Sequence, residues 1–136
     1  MENIQKKYEE LFKHSCYCFC LCYTFAENKN EWNWLQMIAE AVQSGFIEED
    51  CYVAKPLKFI SLISDHNFRD VQKVTINSMW DIPKIPTICE MQQPNGKDSH
   101  FVVCHFDGEK VILDFDPSGV SNSWNLGKFK TYRKFV

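Results

Sequence analysis

With 136 residues, the chain is long enough for one domain with a single hydrophobic core. Its apolar fraction of 45% argues against disorder, and its net charge of −3, without a basic block, argues against nucleic acid as a partner. The apolar run Cys16–Phe25 is too short to cross a bilayer, and no small-residue cleavage pattern follows it. We therefore expect a cytoplasmic protein that has no membrane association.

The N-terminal half of the chain predicts four helices from its apolar periodicity: Glu2–Lys13, Cys16 to about Glu27, Glu31–Ser44 and Pro56 to about Ile63. Ser15 is placed to cap the second helix, because a Ser hydroxyl accepts a hydrogen bond from a free N–H of the first turn. Gly45 is placed to end the third helix. Pro56 suits the first turn of the fourth helix, where its missing N–H costs nothing.

The C-terminal half predicts strands instead: Val71–Ile76, Ile85–Met91, Ser99–Phe106, Lys110–Asp116 and Phe129–Phe135. Turn residues fill Gln92–Asp98, and Asp107-Gly108 lies at the centre of a predicted hairpin. Helices followed by strands indicate an α+β fold in which N-terminal helices pack on a C-terminal antiparallel sheet. Since no repeat or linker interrupts the chain, we expect one domain over residues 1–136.

Residues of three types that can take part in catalysis lie at the ends of these elements. Cys16 begins a predicted helix, and a helix N-terminus favours a thiolate over a thiol. His100 heads a strand, and Asp114 and Asp116 close its hairpin partner. Such residues can supply a thiol nucleophile, a base and a carboxylate that orients the base. Only one carboxylate can orient His100, and the sequence leaves open which one does.

The run Ser99–Val103, followed by Gly108 and by Asp114–Gly119, resembles the His and Asp region of the papain-like cysteine peptidases. It is most similar to the branch that cleaves double-glycine leader peptides from bacteriocins. The resemblance covers residues 99–119 well and the Cys helix loosely. It implies a papain-like fold, with Cys16 as the nucleophile, His100 as the base and Asp116 as its orienter. It also implies cleavage of a peptide or isopeptide bond in a peptide or protein substrate, without a cofactor.

Two other functions compete with a cysteine hydrolase. The family usually carries a Gln shortly before its Cys, whereas this chain has only Gln5 upstream. That difference favours a catalytically inactive interaction protein, of the kind that phages and plasmids encode, which binds and inhibits a host protein.

His105 is expected to be a structural or surface residue, because a spacing of five along a strand turns it away from His100.

The third function, a metal-binding regulator, rests on the cysteines. The chain has seven of them, and four occupy alternate positions from Cys16 to Cys22. On a helix, two pairs spaced by four residues could each chelate an ion. The paired Cys-x-x-Cys spacing of structural zinc sites is absent, and aromatic neighbours indicate burial. We therefore expect reduced core thiols, with no disulfide framework and no metal site.

Overall fold

The computed structural model describes residues 16–49, 51–92, 99–117 and 128–136. The chain divides into two compact units, Met1–Asn67 and Phe68–Val136. The predicted helix Glu2–Lys13, its neighbour Ser15 and most of the predicted turn Gln92–Asp98 lie outside the described residues. The single domain over residues 1–136 stays a prediction. The α+β class is confirmed, since helices occupy the first unit and an antiparallel sheet the second.

The first unit contains helices α1 (Cys16–Phe25), α2 (Glu31–Gln43) and α3 (Pro56–Ile63), which confirm three predictions. Helix α1 packs against both of the others. It ends two residues before the predicted boundary, because the N–H of Glu27 donates to the carbonyl of Ile63 at 3.2 Å and not to its own helix.

Helix α2 has a defined signal at each end. The N–H of Trp32 donates to Oδ1 of Asn30 at 2.8 Å, which satisfies one of the free donors of the first turn. Gly45 follows the helix with a φ of +79°, a left-handed conformation that glycine adopts without steric cost. The N–H of Phe46 then donates back to the carbonyl of Ala41 at 2.9 Å. Gly45 therefore ends α2 as predicted.

The second unit contains strands β1 (Val71–Thr75), β2 (Thr87–Gln92), β3 (Ser99–Phe106), β4 (Val111–Phe115) and β5 (Lys128–Phe135). They form an antiparallel sheet in the order β1-β5-β2-β3-β4. Strand β2 begins two residues after the predicted start, because Ile85 is 70% exposed and Pro86 has no N–H to donate to a ladder.

One face of the sheet is covered by the connection between β1 and β2, which includes the short 3₁₀ helix Met79–Asp81. That connection contributes two members of the core cluster, which consists of Ile76, Ile82, Cys89, Met91, Val102, Cys104 and Phe106. The other members alternate along β2 and β3, as a period of two requires. Among the described residues, no helix has both the length and the apolar character needed to cross a membrane.

Candidate functional site

The β3–β4 hairpin carries the predicted His and Asp residues, and its turn is fixed by Asp107. Oδ1 of Asp107 accepts the N–H groups of Glu109 and Lys110, each at 2.8 Å. These two backbone hydrogen bonds lower the pKa of the Asp107 carboxyl, because they favour its ionised form. Gly108 has a φ of +105°, a conformation that a side chain would strain. The predicted hairpin is therefore confirmed.

His100 and Asp116 are joined by a hydrogen bond. Nε2 of His100 lies 2.8 Å from Oδ1 of Asp116, and the two side chains are only 9% and 5% exposed. An ionised carboxylate only accepts hydrogen bonds, so a neutral imidazole that bonds to one through Nε2 carries its proton there and its lone pair on Nδ1. In that tautomer Nδ1 can accept a proton. The Asp116 carboxylate then stabilises the resulting imidazolium through its hydrogen bond with Nε2.

A β-bulge in β4 decides which carboxylate meets His100. Val103 pairs with Phe115 and Cys104 pairs with Leu113, so Asp114 is an extra residue in the strand. A bulge of one residue interrupts the alternation of side chains. Asp116 follows the bulge and bonds to His100, which resolves the choice between the two carboxylates that the sequence left open.

His105 and Asp114 form a second pair on the same hairpin. Nδ1 of His105 lies 2.8 Å from Oδ2 of Asp114, and the two side chains are 24% and 17% exposed. His105 and His100 are five residues apart on β3, so they point to opposite faces of the sheet. This pair was not among the sequence predictions, although the odd spacing of the two histidines indicates that each needs its own partner.

The seven cysteines all lie in the described part of the chain, and none is in a disulfide. Six of them are buried: Cys18, Cys20, Cys22, Cys51, Cys89 and Cys104. Burial raises the pKa of Cys18 far above its usual range and that of Cys22 to about 12, because a thiolate is poorly solvated in the core. A hydrogen bond with Cys89, together with burial, also raises the pKa of Cys104. Such thiols are poor nucleophiles at neutral pH.

Cys16 differs from these six because it is partly exposed. It lies in α1 of the first unit, whereas His100 and Asp116 belong to the second. The structure therefore joins two of the three predicted catalytic residues by a hydrogen bond and gives the third the accessibility that a nucleophile needs.

The described residues include no group of three or more His, Cys, Asp or Glu side chains arranged to hold a metal ion. In α1 the three inner cysteines of the run are fully buried, and Phe19 and Leu21 between them are buried as well. A helix that is apolar on all sides is a core helix. These three cysteines therefore belong to the core of the first unit.

Comparison of the chain with protein-family models, curated proteins and solved structures finds no match. The resemblance to the papain-like peptidases therefore stays a prediction from the residues that carry it.

Proposed function

We propose that this protein is a cysteine hydrolase that cleaves a peptide or isopeptide bond in a peptide or protein substrate. In this proposal Cys16 is the nucleophile, His100 is the base and Asp116 orients the imidazole. A papain-like arrangement of the helices and the sheet and a cytoplasmic location belong to the same proposal. No cofactor is needed for the reaction.

The main support is the hydrogen bond of 2.8 Å between Nε2 of His100 and Oδ1 of Asp116. A carboxylate held against one ring nitrogen fixes the tautomer and stabilises the imidazolium that forms when the other nitrogen takes a proton. Both side chains are nearly buried, which strengthens the interaction because little water screens it.

The accessibility of Cys16 is the second support. The other six thiols are buried, and burial limits the access of a substrate to their sulfur atoms. The sequence predicts that Cys16 begins its helix, and the free backbone N–H groups of a first turn would favour its thiolate. Among the thiols of this chain, it has the best environment for attack on a carbonyl group.

The proposed reaction proceeds through a thioester. Nδ1 of His100 takes the proton of the Cys16 thiol, and the sulfur forms a bond with the carbonyl carbon of the substrate. The carbon–nitrogen bond then breaks, and His100 gives its proton to the leaving amine. Water, deprotonated by His100, releases the acid product and restores the thiol.

Alkylation by iodoacetamide at pH 7, with mass spectrometry to locate the labelled thiol, tests this function. We expect Cys16 to react fastest and Cys16→Ala to abolish the fast phase. His100→Gln should slow the labelling, because the thiol loses the imidazole that takes its proton. Asp116→Asn should slow it less, because the imidazole remains.

His66→Gln is the matched control, since His66 is an exposed histidine of the first unit. It should leave the labelling rate unchanged, and circular dichroism should show that each variant is folded. If Cys16 reacts equally fast in wild-type protein and in folded His100→Gln, the imidazole does not activate the thiol and the proposed function is wrong.

Protein binding without turnover is a second candidate function, and an exposed apolar group on the β1–β2 connection favours it. Trp80 is 74% exposed, Ile85 is 70% exposed and Met79 is 48% exposed. The Trp80 ring packs edge-on against Phe106 with 5.0 Å between the ring centroids, and a capping box with Asp81 orders the segment. Exposed, well-ordered aromatic side chains often dominate binding energy at protein interfaces.

This second function predicts a complex with a host protein that survives Cys16→Ala and is lost in Trp80→Ala. Affinity purification with both variants measures the difference. A complex that requires Cys16, or one that tolerates Trp80→Ala, would count against binding through this segment.

A further inference from the structure

Strand β1 lies at one edge of the sheet. In the described part of the chain it pairs with β5 and with no other strand. Asp70, the residue before β1, exchanges two backbone hydrogen bonds with Val136, of 3.2 and 3.0 Å. The N–H of Ile76, the residue after β1, donates to the carbonyl of Lys130 at 2.8 Å. The backbone groups of Asp70 and Ile76 therefore point towards β5.

Other backbone groups of β1 point away from β5. Hydrogen-bonded and non-hydrogen-bonded pairs alternate along an antiparallel ladder, so Val71, Lys73 and Thr75 direct their N–H and C=O groups outwards. The N–H of Val71 donates to Oδ1 of Asp70 at 2.9 Å. Among the described residues, this leaves the N–H groups of Lys73 and Thr75 and the outward carbonyl groups open on the edge. Such a row is a template for an added strand.

The two strands that form this edge are basic. Together β1 and β5 contain five Lys and Arg residues and no Asp or Glu, in a chain whose net charge is −3. Lys73 is exposed on β1, and Lys134 is exposed on β5 opposite Gln72. Because Gln72 and Lys73 are neighbours on one strand, the two lysines lie on opposite faces of the sheet. The edge therefore carries positive charge on both faces.

The charge of Lys73 has no counterion within the described residues. Arg133 lies directly opposite Lys73, and like charges in this position repel each other. Nη1 of Arg133 lies 3.8 Å from Oε1 of Glu90 and donates to Oγ1 of Thr131 at 2.6 Å. Glu90 thus balances Arg133, whereas no described carboxylate forms an ion pair with Lys73. A carboxylate that approached the edge would offset this repulsion.

These properties favour one kind of occupant. A second copy of β1 would bring two cationic strands together, which is unfavourable, and β4 at the other edge is bulged. A nucleic acid matches the charge but has no N–H and C=O groups with the repeat of a strand. An acidic, extended polypeptide matches both the charge and the backbone of β1.

We propose that β1 is a docking site for an extended, acidic segment of a partner protein, which adds to the sheet beside β1. The backbone of the segment pairs with Lys73 and Thr75, and its carboxylates lie near Lys73 and within electrostatic range of Lys134. Its alternate residues face the side of the sheet on which Val74 lies, where apolar side chains fit. This interaction is separate from the proposed hydrolysis and does not depend on it.

Fluorescence anisotropy with a fluorescein-labelled peptide of alternating Glu and Val tests this inference on the full chain. We expect saturable binding that weakens as salt is added, because salt screens exposed charges. Lys73→Glu should weaken binding by about fivefold or more, since a repulsion replaces an attraction. Lys84→Glu is the matched control, because Lys84 is exposed on the β1–β2 connection and its substitution changes the net charge equally. It should leave binding nearly unchanged.

Two further changes test whether the backbone takes part. Thr75→Pro removes an outward N–H without removing a hydrogen bond to β5, and Thr75→Val is its matched control. Thr75→Pro should weaken binding by about fivefold, the effect of one hydrogen bond, and Thr75→Val should not. A peptide methylated at every backbone nitrogen keeps its charge but has no N–H for the ladder, so it should not bind.

Four results would overturn the inference. The Glu–Val peptide does not bind, or its methylated form binds equally well, which would show attraction by charge alone. Single-stranded oligothymidylate binds more tightly than the peptide, which would make the edge a nucleic-acid site. Analytical ultracentrifugation shows a dimer that Thr75→Pro abolishes, which would make a second copy the occupant. If circular dichroism shows that Thr75→Pro does not fold, the methylated peptide decides the role of the backbone.

Discussion

Helix α1 and the β3–β4 hairpin each repeat one kind of chemical group, and in both regions burial distinguishes the copies. In α1 the repeated group is the thiol, and the three inner cysteines are buried whereas Cys16 is partly exposed. In the hairpin the repeated group is a histidine bonded to an aspartate, and the His100–Asp116 pair is more buried than the His105–Asp114 pair.

Burial has opposite consequences for reactivity in the two regions. In the helix, burial makes thiols unreactive, and the exposed copy is the candidate nucleophile. In the hairpin, burial strengthens the hydrogen bond between imidazole and carboxylate, and the buried copy is the candidate base. The same residue type therefore takes a chemical or a structural role according to where the backbone places it.

The largest expected effect is the difference in stability between variants that remove the histidine of each histidine–aspartate pair. His100→Ala should lower the free energy of unfolding by about 3–5 kcal/mol, because the Asp116 carboxylate stays buried without its imidazole. His105→Ala should cost about 1 kcal/mol or less, since water partly solvates Asp114. Urea denaturation at pH 7 measures both values. Equal losses in the two variants would show that the difference in burial has no energetic consequence.

The next prediction concerns the buried thiols of α1 and how the free energy of unfolding depends on alkaline pH. The pKa of Cys22 is raised from 9.0 to about 12 in the folded protein, so the unfolded chain loses this proton first. The neutral Cys22 thiol contributes fully to the free energy of unfolding below pH 9, and this contribution decreases as the pH rises above 9. By pH 10 this thiol alone should lower the free energy of unfolding by roughly 1–2 kcal/mol.

Cys22→Ala should remove that contribution, so the decline in stability between pH 8 and pH 10 should be shallower than in the wild-type protein. Urea denaturation at several pH values gives the slope. An unchanged slope would mean that the Cys22 thiol ionises as readily in the folded chain as in the unfolded one.

The smallest effect compares two glycines of positive φ, one at the end of helix α2 and one in the turn of the β3–β4 hairpin. Gly45 has a φ of +79° and Gly108 a φ of +105°, and an added Cβ would have no neighbouring atom within 4 Å at either position. Each substitution by Ala should therefore cost only backbone strain, about 1 kcal/mol. Gly108→Ala should cost more, because its φ lies farther from the left-handed region that side chains tolerate. Thermal unfolding of the two variants tests this order.

Much of the secondary structure follows from local sequence. Asn30 and Gly45 mark the ends of α2, Pro56 marks the start of α3, and Asp107-Gly108 marks the hairpin turn. These residues act through their own backbone conformations or through neighbouring N–H groups. A local signal of this kind is readable without knowledge of the tertiary structure.

The strand order and the bulge could not be predicted in this way. The position of β5 between β1 and β2 depends on pairing between distant segments. The extra residue in β4 depends on competition between two ladder registers, and Asp114 gives no sequence signal for it. For the same reason the sequence identified His100 and its two possible partners but could not assign Asp116.

The bulge also affects how this protein behaves at high concentration. In the described sheet β4 is an edge strand, and a regular edge presents a row of free N–H and C=O groups that can template pairing with another molecule. An extra residue distorts that row. We therefore expect the irregularity to disfavour edge-to-edge pairing of two copies, whether or not the molecule turns over a substrate.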